Sequence, residues 1–398
     1  MVGYNQTDIG LIPEDWEVKS MGLIGDTIIG LTYSPNNVSK YGTLVLRSSN
    51  IQNNQLAFKD NVFVDMELPN RVIVNENDIL ICVRNGSKRL IGKSTLIDKK
   101  TKGSAFGAFM SIYRSKSNLF IVNVFQSHII QKQINEVLGA TINQITNKDL
   151  ASFQIPLPPP KEQESIAQVL SDTDALITVL EKRIAKKRLI KQGAMQTLLS
   201  PKDDWEVKKL GEVASIIKGK GLPKSALVVE GKYKCIHYGE LFIKYKEKII
   251  EYLSYTDKKD DCFYSKRNDV LMPTSDVTPN GLATASCVLE DNVIIGGDIL
   301  VIRIPENVIN GIFLSYSIKK SREQVMKLVT GSTVYHIYGS DMANFVFKYP
   351  KIEEQNRIAT ILSDIDNEID ALEKKLAKTK KLKQGLMQQL LTGKIRLV

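Results

Sequence analysis

The chain has 398 residues, 43% of them hydrophobic and 25% charged, and a formal net charge of +10. That length exceeds one ordinary core and calls for two or more domains, and no apolar run is long enough for a transmembrane helix. The four cysteines, Cys82, Cys235, Cys262 and Cys287, show no C-x-x-C spacing, which argues against a zinc site or a disulfide framework, while the excess of Lys and Arg favours a polyanionic partner.

The N-terminal MVGYNQTDIG lacks the basic and apolar regions of a signal peptide, so a cytoplasmic chain without a membrane role is expected. DWEVKSMG follows at positions 15–22. In the insert after it, TLVLRSSNI, VFVDM, DILICVR, STLI and FMSIYR are β-rich, and LFIVNVFQSHIIQKQINEVL has helical character. Arg47 in LRSSNI reads as structural, paired with a buried carboxylate, and His128 as a partly buried histidine.

Within this insert, NGSKRLIGKST (positions 85–95) raises the question of a nucleotide site. A phosphate-cradling loop needs G-x-x-x-x-G-K-[ST], because a loop of fixed length aims amide N–H groups and a Lys at the phosphates. Here five residues separate Gly86 from Gly92, and Ser87 stands where the first Gly belongs. The following LIDKKTKGSAFGAFMSIYR opens no amphipathic helix, so a basic hairpin loop between two strands is expected instead of an NTPase site. Asn85, Ser87, Lys88, Arg89 and Lys93 on that loop are a mix suited to holding phosphates and reaching base edges. A plain solvated hairpin is the competing reading.

The next segment, EQESIAQVLSDTDALITVLEKRIAKKRLIKQGAMQTLLS (162–200), recurs without gaps at 354–392, an offset of 192 residues, with about half the positions identical. DWEVKSMG returns as DWEVKKLG (204–211), and GATINQI (139–145) as GSTVYHI (331–337). Between these flags the halves diverge. In the second insert YKCIHYGEL, DVLMPTS, TASCVL and DILVIRI are strand-like, and NGIFLSYSIKKSREQVMKLV is the helical counterpart; PTSDVTPNGLATAS (273–286) replaces the basic loop and has no GKST.

The repeated segments read as helices of about 37 residues, roughly 55 Å long. Ile358, Leu362, Ile365, Ile369, Leu372 and Leu376 alternate at spacings of four and three, as do Ile166, Leu170, Thr173, Ile177, Leu180 and Ile184, which is the seam of a coiled coil. An antiparallel pairing within the chain, related by a pseudo-two-fold axis, is expected, with the chain ends near one another; pairing between two chains is the alternative. Asp172 and Asp174, matched by Asp364 and Asp366, suggest helix capping or partner docking. The fold class is α/β: two mixed α/β domains (1–158 and 201–350), each followed by a spacer helix (159–200 and 351–398).

Taken whole, the chain resembles the specificity subunit of a type I restriction-modification enzyme. The residues that carry the resemblance are LRSSNI (46–51), DILICVRNGS and LIGKS (78–94), PLPPPKEQESIAQVLSDTD (156–174), GSTVYHI (331–337) and QGLMQQLLTGKIRL (384–397), within the repeat layout. The resemblance implies two target-recognition domains, each reading one half of a bipartite, asymmetric site on double-stranded DNA, with the helices fixing the unread spacer. It also implies that Lys218 and Lys220 in IIKGKGLPK, and Tyr335 and His336 in GSTVYHI, lie where such subunits approach DNA, unless they are ordinary surface or packing residues. Tyr335 and His336 replace Asn143 and Gln144 of the first half. Catalysis would belong to partners: modification subunits that methylate adenine N6 with S-adenosylmethionine, and restriction subunits that use ATP and magnesium. No methyl-transfer, Walker or nuclease motif is found in this chain, which is expected to need no cofactor itself. The rivals are a coiled-coil scaffold without a DNA role and a P-loop-like NTPase.

Overall fold

Runs such as ILIC and VLMP are apolar at every position because both faces of their strands are covered. Ile79–Cys82 and Val270–Pro273 are buried throughout. The computed structural model describes residues 3–138 and 143–398, so Gly139 to Ile142 of the GATINQI motif lie outside the described residues. The chain forms two units, one made of residues up to Leu180 together with Lys375–Val398, the other of Glu181–Lys374.

In the first unit an antiparallel sheet runs in the order Ser94–Leu96, Ile79–Cys82, Met110–Arg114, Asp26–Ile29. A second sheet runs Ala105–Phe106, Thr43–Leu46, Val62–Val64, Val38–Ser39, and its first pair is parallel with Phe106 opposite Leu46. The second unit repeats both. Ser286–Cys287, Val270–Pro273, Ile299–Arg303 and Ser215–Lys218 form the antiparallel sheet, and Ile294–Ile295 lies parallel to Tyr233–Ile236 with Ile295 opposite Ile236. In each unit an Arg locks a buried Asp beside the sheet: Arg114 to Asp78 at 2.6 Å and Arg303 to Asp269 at 2.7 Å.

The crossing between the two sheets demands glycine. A Cβ on Gly30 would lie 2.1 Å from the carbonyl oxygen of Gly107, and one on Gly219 2.1 Å from that of Gly296. The DWEV flags are the closing strands of each domain, Glu17–Ser20 pairing with Gln154–Leu157 and Glu206–Lys209 with Val346–Tyr349.

The repeated segments are helices of 39 residues, Pro160–Leu198 and Ile352–Leu390. Pro160 sits at the first helical position, where its missing N–H costs nothing. Within the first unit, Ile166 and Leu170 share a core with Leu386, Met387 and Leu390; within the second, Ile358 and Leu362 share one with Ala194, Met195 and Leu198. An early stretch of one helix thus meets a late stretch of the other, so in each unit the two stretches run antiparallel. Ile177, Leu180, Ile184 and Ile369 are also buried, and Leu372 and Leu376 half-buried.

Three expectations need correction here. Each insert helix is broken in two, Asn118–Phe125 then His128–Val137, and Gly311–Lys320 then Arg322–Leu328. The break in the first follows Ser127, whose Oγ accepts from the Ile129 N–H and so starts a new helix, a competition with the backbone that serine favours. His128, at that start, is exposed rather than partly buried.

The paired aspartates are not caps. Asp174 is ion-paired to Lys383 at 2.7 Å, and the repeat-related Asp366 to Lys191 at 2.7 Å, each well inside its helix. The chain ends do meet: the Tyr4 hydroxyl donates to the Gly393 carbonyl, and Arg396 pairs with Asp15.

Candidate nucleic-acid interface

The GKST tail of the basic loop belongs to a strand. Ser94 and Thr95 are 0% and 4% exposed, and the loop is closed at its base by reciprocal backbone bonds between Cys82 and the Gly92–Lys93 pair. No phosphate can reach those hydroxyls, which removes the NTPase reading on geometry.

The residues of the loop divide by what they touch. Asn85 Nδ2 donates to Ser48 Oγ and its Oδ1 accepts from the Ser87 N–H, so this side chain shapes the loop. Lys93 Nζ donates to the Ser48 carbonyl, and Lys88 Nζ to that of Leu138. Both ammonium groups stay near the surface and can turn to a phosphate. Arg89 is exposed within the short 3-10 turn Lys88–Leu90. Beside the loop lies the end of the GATINQI motif: Gln144 bridges to Arg84, and Asn143 Nδ2 donates to the Gly86 carbonyl.

Sequence reasoning passed over Arg84, two residues beyond the strand Ile79–Cys82. It is exposed and lies over the Phe109 ring, 5.1 Å from its centroid, and Phe109 itself is 56% exposed. An exposed cation on an exposed aromatic is a signal that no residue spacing gives, because Arg84 and Phe109 meet only through the sheet. Arg47 also needs correction: its partner Asp60, at 2.9 Å, is exposed, not buried.

In the second unit Tyr335–His336 pairs with Ser275–Asp276 beside the end of the corresponding strand, as Gln144 does with Arg84. The Ile337 N–H donates to the Thr274 carbonyl, matching Ile145 to Val83. His336 stacks against Tyr338 with ring centroids 6.2 Å apart. Lys218 pairs with Asp298 at 3.2 Å and Lys220 with Asp261, and all four side chains are more than half exposed. His237 heads a short helix, its Nδ1 accepting from the Gly239 N–H. Burial lowers the pKa of its imidazole, against the opposing pull of Glu240.

The structure therefore gathers the first-half candidates around Ser48 and the end of Ile79–Cys82, and the second-half candidates around the ends of Ser215–Lys218 and Val270–Pro273. Among the described residues no group of three or more His, Cys, Asp or Glu could hold a metal ion. No helix is long and apolar enough to cross a membrane among those residues.

A family model described as "Type I restriction modification DNA specificity domain" matches residues 13–187 and again 202–383. Among curated relatives, the "Putative type I restriction enzyme MjaX specificity subunit" of Methanocaldococcus jannaschii is 28% identical, covering 99% of this chain and 96% of its own length. The "Type I restriction enzyme EcoKI specificity subunit" of Escherichia coli is 30% identical over 46% of this chain and 40% of the relative. Among solved structures, the type I restriction-modification system S subunit from M. genitalium superposes with a TM-score of 0.65 at 17% identity, covering 94% of this chain and 96% of that one, which shows a shared fold.

Proposed function

We infer what this chain does from one premise: it belongs to the type I restriction-modification DNA specificity family. It is a specificity subunit, a non-catalytic part of such an enzyme. One observation carries the rest of the reading: two units repeat the same pair of sheets and the same helix contacts while the loops at their strand ends differ in chemistry. A protein that keeps its frame twice and varies two surfaces is suited to recognising two different things.

On this reading each unit reads one half of a bipartite, asymmetric target on double-stranded DNA, and the long helices set the unread spacer. Lys88, Arg89, Lys93, Lys218 and Lys220 hold phosphates, Asn85 and Ser87 shape the first loop, and Tyr335 and His336 line the second domain's approach. Modification subunits bring S-adenosylmethionine and methylate adenine; restriction subunits bring ATP and magnesium and cut. The specificity chain itself calls for no cofactor, and its place is the cytoplasm with the DNA.

The test is a footprint of the chain assembled with its modification partner. Two protected blocks separated by an unread spacer support the reading. One short uninterrupted block, or binding indifferent to salt and sequence, contradicts it. A scaffold without a DNA role would give no footprint at all.

A further inference from the structure

Each unit has a cleft in the same place, at the crossing between its two sheets. The first, about 640 Å³, is bordered by Tyr33, Arg47, Ser48, Ser49 and Phe109; the second, about 340 Å³, by Pro223, His237, Tyr238 and Asp298.

The backbone beneath them is the same position by position. Gly107 N–H donates to the Leu46 carbonyl as Gly296 does to Ile236, and Leu31 to Phe106 as Lys220 does to Ile295. Arg47 N–H donates to Asn50 Oδ1 as His237 N–H does to Glu240 Oε2. Val83 N–H donates to the Phe109 carbonyl as Thr274 does to Asp298.

These pairs fix four equivalences across the clefts: Arg47 with His237, Arg84 with Ser275, Phe109 with Asp298, and Gln144 with His336. The supports are buried, Leu46, Phe106, Ile236 and Ile295 all at 0% exposure. Every side chain above them has changed chemical type.

The first cleft offers donors beside one carboxylate, that of Asp60, which Arg47 Nη2 already holds at 2.9 Å. Arg47 Nε and Ser49 Oγ are buried without a hydrogen-bond partner, an arrangement that costs free energy unless a ligand completes it. Beside the cleft, over the Phe109 ring that borders it, the Arg84 guanidinium makes no hydrogen bond or ion pair with any described residue. A planar fork of donors complements the paired acceptors O6 and N7 of guanine.

The second cleft offers a donor and an acceptor together. With His237 Nδ1 accepting from Gly239, the neutral ring carries its proton on Nε2. Lys218 holds Asp298 Oδ1 and leaves Oδ2 open. A donor beside a carboxylate oxygen complements adenine, with its N7 acceptor and N6 amino group, and not guanine.

We propose that these two clefts are the base-reading sites, Arg84 over Phe109 reading a guanine in one half of the target, and His237 with Asp298 reading an adenine in the other. The proposal rests on the DNA-reading function above, and the lysines named there hold the backbone while the clefts choose the base.

The experiment maps N6-methyladenine in a host genome carrying this chain with its modification partner, for the wild type and for Arg84→Lys, Arg84→Ser and Asp298→Ala. The wild-type motif is expected to hold a guanine in one half and an adenine in the other. Arg84→Lys and Arg84→Ser should relax that guanine while the other half stays strict, with methylation of the original motif reduced about tenfold to a hundredfold. Asp298→Ala, which removes the acceptor for the adenine amino group, should relax only the opposite half. Arg84→Lys keeping the full motif at wild-type level overturns the proposal, because a phosphate contact would survive that exchange and a bidentate one would not. Loss of methylation in all three variants with neither half relaxed overturns it too. A wild type that marks no bipartite motif overturns the family-level reading instead.

Discussion

Glu162 is 2% exposed, and its carboxylate accepts from Trp16 Nε1, from Arg396 Nε and Nη2, and from the Leu397 N–H. Burial pushes its pKa up, but the Arg396 bonds, with those of Leu397 and Trp16, bring it below the ordinary 4.5; Asp15, bonded chiefly by Arg396, is likewise below 3.8. Removing Arg396 strands a buried carboxylate, so Arg396→Ala should cost about 3 kcal/mol, read as a lower midpoint in urea. The sign with pH follows from the depressed values. These carboxylates bind fewer protons folded than unfolded, so their stabilisation is complete above the ordinary carboxylate range and is lost as pH falls through the lowered folded values. Arg396→Ala should therefore flatten the acid limb of the stability curve. At the surface, Arg89 is exposed and makes no side-chain hydrogen bond or ion pair with any described residue, and Arg89→Ala should leave the melting temperature unchanged while reducing the salt slope of DNA binding by about 0.9. The sequence showed Arg89 and the lysines because a basic loop is visible in one dimension. It hid Arg84 and Phe109, since what distinguishes them is a meeting across a sheet crossing, and it gave Arg47 a buried partner where the structure gives the exposed Asp60.

At the scale of elements, the seam was legible because a coiled-coil stripe is a local pattern: Ile166, Leu170, Ile358 and Leu362 alternate in sequence and are buried in space. The partners of the aspartates were not legible. Asp174 and Asp366 occupy the same repeat position and make the same lysine pair, yet their surroundings differ. Asp174 is 44% exposed at its side chain, whereas Asp366 is 11% exposed and also accepts from the buried Tyr316 hydroxyl. Lys191 reaches buried Glu247 as well, and Glu247 in turn holds Lys319. Asp174→Ala should cost about 1 kcal/mol or less, as exposed pairs do, and Asp366→Ala about 3 kcal/mol, because a buried hydroxyl and ammonium lose a partner. Equal shifts in the two urea midpoints would contradict this account. The first insert helix failed as a single element for a similar reason: Ser127 sits in a continuous apolar pattern, and its hydroxyl, which donates to the Val124 carbonyl and accepts from the Ile129 N–H, ends one helix and starts the next, a competition that periodicity does not register.

For the whole molecule, duplication is the organising fact, and the sequence displayed it in the repeated helices, the DWEV flags and the GSTVYHI motif. The shared sheets stayed hidden, because Leu46 and Ile236 or Asn50 and Glu240 do the same work with different residues. What survives divergence is a hydrogen-bond pattern, and that pattern is what allows two readers on one plan. The central claim is that each insert governs one half of a single target. It is tested most directly by replacing residues 201–350 with the second insert of a relative and mapping methylated adenines in the same genome. The account predicts a two-block motif in which one block takes a new sequence and the other is unchanged at the same spacing. A motif altered in both blocks, or a single continuous block before and after the exchange, would contradict it.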